Sequence, residues 1–384
     1  MSKALILSHS IISRDPRPLR QIKWLRESGF TEIVSVGLGE KPGGVDRHQQ
    51  ISQKGLLKRY VGYLIRNHRA RFSYFFGRQL DQIPDDFFAD TDVLIINEIE
   101  YLPWKGLASA ALESLPVYLD LHEDHVNDAH RGLLERVAFK SYWDWQLTRF
   151  ASFVVERKSK LEMTCVEGQI AADYRRLTNR EVALLFNAPD VNTLEPRPVN
   201  PDQIRLIHHG MGTKGRGIET ALQALAKLPG HFTLDLVLFA SPLFKTKIKL
   251  MARRLRVSER LRLENGVPLS ELPERLNRAD IAIVVLSTVT KGHINALPNK
   301  FFESIHAKLA VVTGPNPSMA RLTEQHGFGL AVQSWSSSDL ADSLRDLSPK
   351  EIEEFKRKAH VASSALSSDQ SRVTFTNLME RLMR

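Results

Sequence analysis

The stretch Ile204-Arg-Leu-Ile-His208-His209-Gly210-Met211-Gly212-Thr-Lys-Gly215-Arg216-Gly217, followed by the apolar-periodic run Ile218 to Leu228, decides the fold class. A short β-branched run, a glycine turn and an amphipathic helix make a strand-turn-helix unit, the repeating element of a parallel sheet covered by helices. The glycines let the backbone approach a phosphate held at the amino end of the helix. Gly210, Gly212 and Gly215 satisfy the letters G-x-G-x-x-G. A dinucleotide site, however, wants an acid at the end of the next strand, and that strand ends Leu238-Phe239-Ala240. The turn therefore reads as a phosphate site without the dinucleotide, with Arg216 adding a planar cation suited to a diphosphate.

Working outward, the same alternation fills the chain. After the glycine unit, strands are expected at Leu234 to Phe239, Leu261 to Leu263, Ile281 to Leu286 and Ala310 to Thr313. Before it they are expected at Ala4 to Ser8, Glu32 to Val36, Val93 to Ile96, Val117 to Leu119 and Val182 to Phe186. Helices fall between them at Pro16 to Ser28, Gly55 to Phe76, Lys105 to Glu113 and Asp128 to Arg149. Proline-rich residues 191–203 read as a linker. The expected organisation is thus α/β with two Rossmann-like domains, 1–190 and 204–365, and a ligand cleft between them. A terminal helix, 366–384, either packs locally or crosses back to the first half.

Composition sets the bounds. The chain has 384 residues, 42% of them hydrophobic, and a net charge of +9. That length suits two domains, each with its own core, and excludes disorder as an overall description. The single cysteine, Cys165, permits no intrachain disulfide or multi-cysteine metal cage, and fits a reducing compartment. The apolar run at Ala4 to Ile12 is too short to span a membrane and reads as the first strand. The positive balance favours an anionic partner: nucleic acid, acidic lipid or a phosphorylated small molecule.

Other motifs refine the choice. In Leu297-Pro298-Asn299-Lys300-Phe301-Phe302-Glu303-Ser-Ile305, proline is expected at the first helical position, with Phe301, Phe302 and Ile305 facing the core. Asn299, Lys300 and Glu303 stay polar; the carboxylate suits vicinal ribose hydroxyls, and the free helix N–H groups suit a diphosphate. Asp120-Leu121-His122-Glu123-Asp124-His125 sits at a strand end, where acid, base and charge-stabilising roles are open to Asp120, His122 and Glu123. No metal-binding histidine motif occurs, and no metal is expected. Asp90-Thr-Asp92 precedes its strand and reads as a turn.

Lys54 to Leu80 interleaves Lys54, Lys58, Arg59, Arg66, Arg69, Arg71 and Arg78 with Tyr60, Tyr63, Phe72, Tyr74, Phe75 and Phe76. The pattern fits a helix on an anionic membrane surface, a docked helix with a wet basic side, or an RNA contact.

Together these residues resemble the retaining, nucleotide-sugar-dependent glycosyltransferases of the GT-B fold, family 4. The resemblant motifs are Asp15-Pro16-Arg17, Asn97-Glu98-Ile99-Glu100, Asp120-Leu-His122-Glu123, Asn187-Ala188-Pro189, His209 to Gly217, and Leu297 to Glu303 with Ala310-Val-Val-Thr313. The resemblance implies Glu303 on the ribose, and Arg216 and Lys245 on the diphosphate. It puts Gly210 and Gly212 in the phosphate loop, Gly266 and Val267 near the base, and Asn295, Leu297, Pro298, Asn299 and Lys300 along the donor. His122, Asp120 and Glu303 would carry the catalytic chemistry, with Asp15, Arg17, Asn97 and Glu98 on the acceptor side. Asn295 and Met211 replace a glutamate and an arginine common in the family. The implied partners are a nucleoside-diphosphate sugar donor, without further cofactor, and a glycan or lipid-linked acceptor. An anionic membrane surface would meet Lys54 to Leu80, with no nucleic acid, at a cytoplasmic location on the inner membrane face. Two other activities share the fold: a sugar-nucleotide epimerase or hydrolase, and a non-catalytic basic binding subunit.

Overall fold

Alternate residues of a strand point to opposite faces, so a strand apolar at every position must be covered on both sides. The run Ala4 to Leu7 of strand β1 (Lys3–Ile11) is such a case. Leu5 and Leu7 enter one core with Val34, Val36, Leu94 and Ile96, whereas Ala4 and Ile6 enter another with Ile33, Val93, Ile95 and Tyr118. The computed structural model describes residues 2–52, 62, 64–108, 110–126, 133–157, 159–286 and 294–384. Its contacts divide the chain into two units, Met1–Leu185 with Ser371–Arg384, and Phe186–Gln370.

The first unit holds β1, β2 (Glu32–Leu38), β3 (Arg47–Ile51), β4 (Val93–Asn97), β5 (Val117–Leu121), β6 (Leu161–Cys165) and β7 (Ala183–Leu184). They form a seven-stranded sheet in the order β3-β2-β1-β4-β5-β6-β7, every pair parallel. The order reverses between β1 and β4, the place where such sheets open a crevice at the carboxyl ends of their strands.

The second unit repeats the plan with β8 (Ile204–Met211), β9 (Phe232–Phe239), β10 (Leu261–Asn265), β11 (Ile281–Val284), β12 (Ala310–Thr313) and β13 (Gly329–Ala331). Their order is β10-β9-β8-β11-β12-β13, again all parallel. Here the reversal falls between β8 and β11. Leu206, Leu234, Leu236 and Ile283 face one core, and Ile207, Val237, Ala282 and Val284 face the other.

Several expectations change. Strands β3, β6 and β13 carry too little apolar alternation to be read from sequence. The run Val182 to Phe186 is only a two-residue strand, because Phe186 instead packs its ring 5.7 Å from Phe302 in the second unit. Lys105 to Glu113 divides into a 3-10 turn (Lys105–Ala108) and a short helix (Ala110–Glu113). The expected helix Gly55 to Phe76 does not run through: residues 65–67 are non-helical, and Asn67 caps a new helix, His68–Phe72, by accepting from Ala70 N at 2.9 Å. Arg71 then donates back to the Ile65 carbonyl at 2.9 Å, which holds the break. Residues 53–61 and Tyr63 of the basic-aromatic segment lie outside the described residues, as do 128–132 of the helix expected from Asp128, which is described as Leu133–Glu156. No described helix is long and apolar enough to cross a membrane.

Candidate active site

In the first unit, the carboxyl ends of β1, β4 and β5 gather the polar side chains. Asp15 follows β1 and caps the helix Pro16–Glu27, accepting from both Arg17 N and Arg17 Nε at 3.1 Å. A carboxylate there satisfies a free N–H and opposes the helix dipole. Burial acts to raise Asp15's pKa, but Arg17, helped by His122, keeps it below the usual value.

One turn along, the same helix sends buried Gln21 under the loops. It exchanges amide hydrogen bonds with Asn97 at 3.0 Å in both directions and donates to Asp120 Oδ2 at 2.5 Å. Asp120 Oδ1 accepts from Thr164 Oγ1 at 2.6 Å, and that hydroxyl in turn meets Tyr118 Oη at 2.8 Å. The carboxylate is thus fixed on both oxygens. His122 Nε2 lies 3.1 Å from Asp120 Oδ2, yet neither of its buried ring nitrogens makes an aligned hydrogen bond among the described residues. An imidazole so placed beside a held carboxylate suits charge stabilisation or proton handling.

Glu98 organises that loop. Its Oε1 accepts from His122 N at 2.8 Å and Glu123 N at 3.2 Å, while Oε2 pairs with His125 Nε2 at 2.7 Å. Burial raises the carboxyl's pKa, but His125's hydrogen bond and charge outweigh it, leaving Glu98 below its ordinary value. For His125, burial pulls down and Glu98 pushes up, and the result is about 9. Its ring also stacks on Trp143, centroids 5.4 Å apart.

Half-buried Glu100 is driven up to about 7 by desolvation. Glu98, Glu100 and His125 bring ligand atoms within 4.8 Å of one another and could share a cation. The proton on His125 already supplies positive charge at that position. Cys165 is buried, which raises its thiol pKa far above normal. Asp90 (φ 56°) makes the expected turn, and Asp92 Oδ2 accepts from Lys3 N at 2.7 Å.

In the second unit, the equivalent edge holds the glycine turn. Gly210 takes φ +104° with open space where a side chain would stand, so a ligand can come close to the backbone there. At Gly217 (φ +82°) a Cβ would meet the Val285 carbonyl at 1.9 Å, so the turn is pressed against the neighbouring strand end. Gly212 sits against Ala240.

The helix Asn299–His306 begins after Pro298, which stands at the capping position rather than inside the first turn. Leu297, Phe301, Phe302 and Ile305 are buried, and the Asn187 amide donates to Asn299 Oδ1. Asn295 and Pro298 are half-buried before the helix.

Glu303 is half-buried, and His209 Nε2 donates to its Oε2 at 2.8 Å, which fixes the carboxylate from β8. His208, the neighbour, points Nδ1 at the Ile283 carbonyl at 2.9 Å, so that nitrogen carries the proton. Its Nε2 lone pair then accepts from Lys300 Nζ at 3.2 Å. Burial lowers His208's pKa well below normal, with Lys300 adding to it. Lys300 itself is brought down to about 7 by burial and by Arg216, with Glu303 acting the other way. Lys300, read from sequence as a polar residue along the donor, is only 7% exposed.

The remaining expected residues lie at the ends of β9 and β10. Lys245, half-buried on the helix Pro242–Arg254, donates to Asn265 Oδ1. The Phe239 ring lies over Gly266, 2.4 Å from where a Cβ would be, and Val267 packs at the edge of the second core. Phe239 and Met211 are 53% and 56% exposed at adjacent strand ends, an apolar platform that sequence reasoning missed. Sequence reasoning also missed Gln21, Thr164 and His208. Their partners lie 44 to 99 positions away, so no local spacing announces them. For His208 a signal existed: a second histidine beside His209 at the end of an otherwise apolar strand.

The sequence family Glycosyl transferases group 1 matches residues 193–362. No curated protein sequence matches the chain. Among solved structures, sucrose-phosphate synthase from Thermosynechococcus elongatus is similar with a TM-score of 0.75 at 13% identity, covering 100% of this chain and 99% of its own. WaaG, a glycosyltransferase involved in lipopolysaccharide biosynthesis, gives 0.65 at 14% identity, covering 98% and 99%. HepE from Anabaena, in complex with UDP-glucose, gives 0.67 at 13% identity, covering 99% and 100%. With two all-parallel α/β sheets and a glycine turn at the start of the second, the chain has a GT-B-like fold whose residues 193–362 match the glycosyl transferases group 1 family.

Proposed function

We propose that the chain is a retaining glycosyltransferase that moves a hexose-type sugar from a nucleoside diphosphate to a glycan or lipid-linked acceptor. The observation that carries the reading is the Glu303 carboxylate, fixed by His209 at 2.8 Å, on the same helix as the Lys300 cation that feels Arg216. Such a carboxylate suits ribose hydroxyls. The cations and the helix amino end oppose the charge that collects on a departing diphosphate, which is how a metal-independent transferase lowers its barrier.

On the first unit, His122 with Asp120 is assigned to the reacting sugar, and Asp15, Arg17, Asn97 and Glu98 to the acceptor side. Gly210, Gly212, Lys245, Gly266, Val267, Asn295, Leu297, Pro298 and Asn299 complete the donor contacts. The UDP-glucose in the similar HepE structure supports a hexose donor. The involvement of WaaG in lipopolysaccharide biosynthesis supports a cell-surface glycan as product.

Thermal shifts against a panel of nucleotide sugars identify the donor, because a ligand that binds only the folded state raises the melting temperature. Transfer to acceptor is then followed directly. Glu303→Ala and Arg216→Ala are expected to lose the donor-induced shift and transfer together, about 100-fold or more in kcat/KM. His122→Ala is expected to keep the shift and lose transfer. Donor turnover without acceptor would instead indicate an epimerase or hydrolase. Retained transfer in all three variants would overturn the assignment.

A further inference from the structure

The first unit contains a cavity of about 750 Å³ that none of the residues around Asp120 and His122 lines. Its walls come from the His68–Phe72 turn and its continuation, the loop at Leu102 to Leu107, and the later half of the helix Leu133–Glu156. Phe72, Leu102, Trp104, Trp145 and Phe153 supply the apolar surface. Among the described residues the only neutral hydroxyls on the wall are Ser73 and Ser152. A sugar would find few hydrogen-bonding partners there, whereas methylene groups would find aromatic and aliphatic faces.

The cationic part is specific. Arg149 and Arg157 both line the cavity, and the Nε of each is buried without a hydrogen-bond partner among the described residues. Arg157 donates through Nη2 to the Leu112 and Leu115 carbonyls at 2.5 and 3.0 Å and lies 4.8 Å above the Phe153 ring. Its position is thereby fixed while part of its donor fork stays unused. Burial draws its pKa down to about 10, with Glu113 partly offsetting. Of the acids on the wall, Asp81 is committed to Trp104 Nε1 at 2.9 Å, leaving Glu113 and Glu156 opposite Arg69, Lys105, Arg149 and Arg157.

We propose that this cavity binds a phosphate carried on a hydrocarbon chain: the tail against Trp104, Trp145 and Phe72, the phosphate on Arg149 and Arg157. A lipid is favoured over a free phosphorylated metabolite because the apolar wall would otherwise stay uncovered. Arg69 to Gly77, which form one side, also belong to the basic-aromatic segment whose pattern suits an anionic membrane surface. The inference stands apart from the glycosyl-transfer reading and needs no donor for its test.

The probe is dihexanoylphosphatidic acid, kept below its micelle concentration and titrated into the full chain by calorimetry and tryptophan emission. One saturable site is expected. Dihexanoylglycerol, lacking the phosphate, should bind at least about tenfold more weakly, and inorganic phosphate should not compete at millimolar concentration. Arg149→Met, which keeps the stem and removes the charge, should weaken binding about tenfold or more. Ser152→Trp should block the cavity sterically while leaving all four cations in place. Both variants should retain the wild-type melting temperature without ligand. Equal binding of dihexanoylglycerol would reduce the site to an apolar hole, and equal binding of inorganic phosphate would make it a simple anion site. Either result, the absence of saturable binding, or binding untouched by a folded variant overturns the proposal.

Discussion

Glu98 holds a left-handed backbone, φ 72°, which costs a non-glycine residue about 1 kcal/mol or more. Two backbone N–H groups and His125 on its carboxylate, with its own N–H on the Asp120 carbonyl at 2.9 Å, offset that strain. The pair has a defined pH window. His125's folded pKa of about 9 lies above the unfolded value of about 6.5, so its contribution is complete below the latter and lost as pH rises through the former. Glu98's is lowered, so its contribution is present above the unfolded carboxyl value and lost in acid. Glu98→Gln should cost about 3 kcal/mol at pH 7 and remove the loss of stability between pH 7 and 10, as measured by urea unfolding across that range. Lys300 works with the opposite sign. Its folded pKa of about 7 lies below the free value, so the buried ammonium costs stability most below that pH and the cost fades toward about 10. Lys300→Met should therefore raise the melting temperature at pH 6 to 7. By calorimetry the wild type is expected to bind a nucleoside diphosphate more tightly as pH falls through about 7, and Lys300→Met to lose that dependence. Sequence made Glu98 and Lys300 visible as charges near a site. It could not make visible that one props up a loop and the other is buried, since both facts arise from tertiary contacts.

At the scale of elements, the glycine turn and the helix that begins at Asn299 were legible because each carries its own local chemistry. Glycines, a proline and a period-3.6 apolar face need no distant partner to be recognised. Arg47–Ile51, an edge strand reading Arg-His-Gln-Gln-Ile, had no such signal; its apolar face is a single residue, Ile51. Leu161–Cys165 and Gly329–Ala331 are strands because a neighbour with free N–H and C=O groups stands beside them. The break at residues 65–67 is written by the Asn67 cap together with Arg71 reaching back to Ile65, a contact no local pattern announces. Gly217→Ala gives the element-scale test. It combines a left-handed backbone with a Cβ 1.9 Å from the Val285 carbonyl, so a loss of at least about 2 kcal/mol in the second unit is expected by chemical denaturation, together with weaker donor binding.

On the scale of the molecule, the two-sheet plan was readable from the strand-helix alternation, but the membership of the last helix was not. Ser368–Met383 begins in one unit and from Ser371 onward belongs to the other, where Phe375, Leu378, Met379 and Leu382 are each 3% exposed or less. Phe375 packs against Trp24 and Tyr118, with ring centroids 5.3 and 5.1 Å away. Burying four such side chains contributes about 6 kcal/mol or more, comparable with the whole stability of a domain. Deleting residues 371–384 should abolish the unfolding transition of the first unit and leave that of the second. Calorimetry and limited proteolysis, with fragments from 186–370 surviving, would check it.

That discontinuity reverses the order in which the protein can be completed. Domains made on the ribosome ordinarily finish in the order they are translated. Here the amino-terminal half waits, with Trp24 and Tyr118 uncovered, until residues 371–384 have been made, after the whole of 186–370. A nascent chain of this kind dwells longest in the state that chaperones recognise, and a stalled or prematurely terminated product would betray itself by the half that was made first.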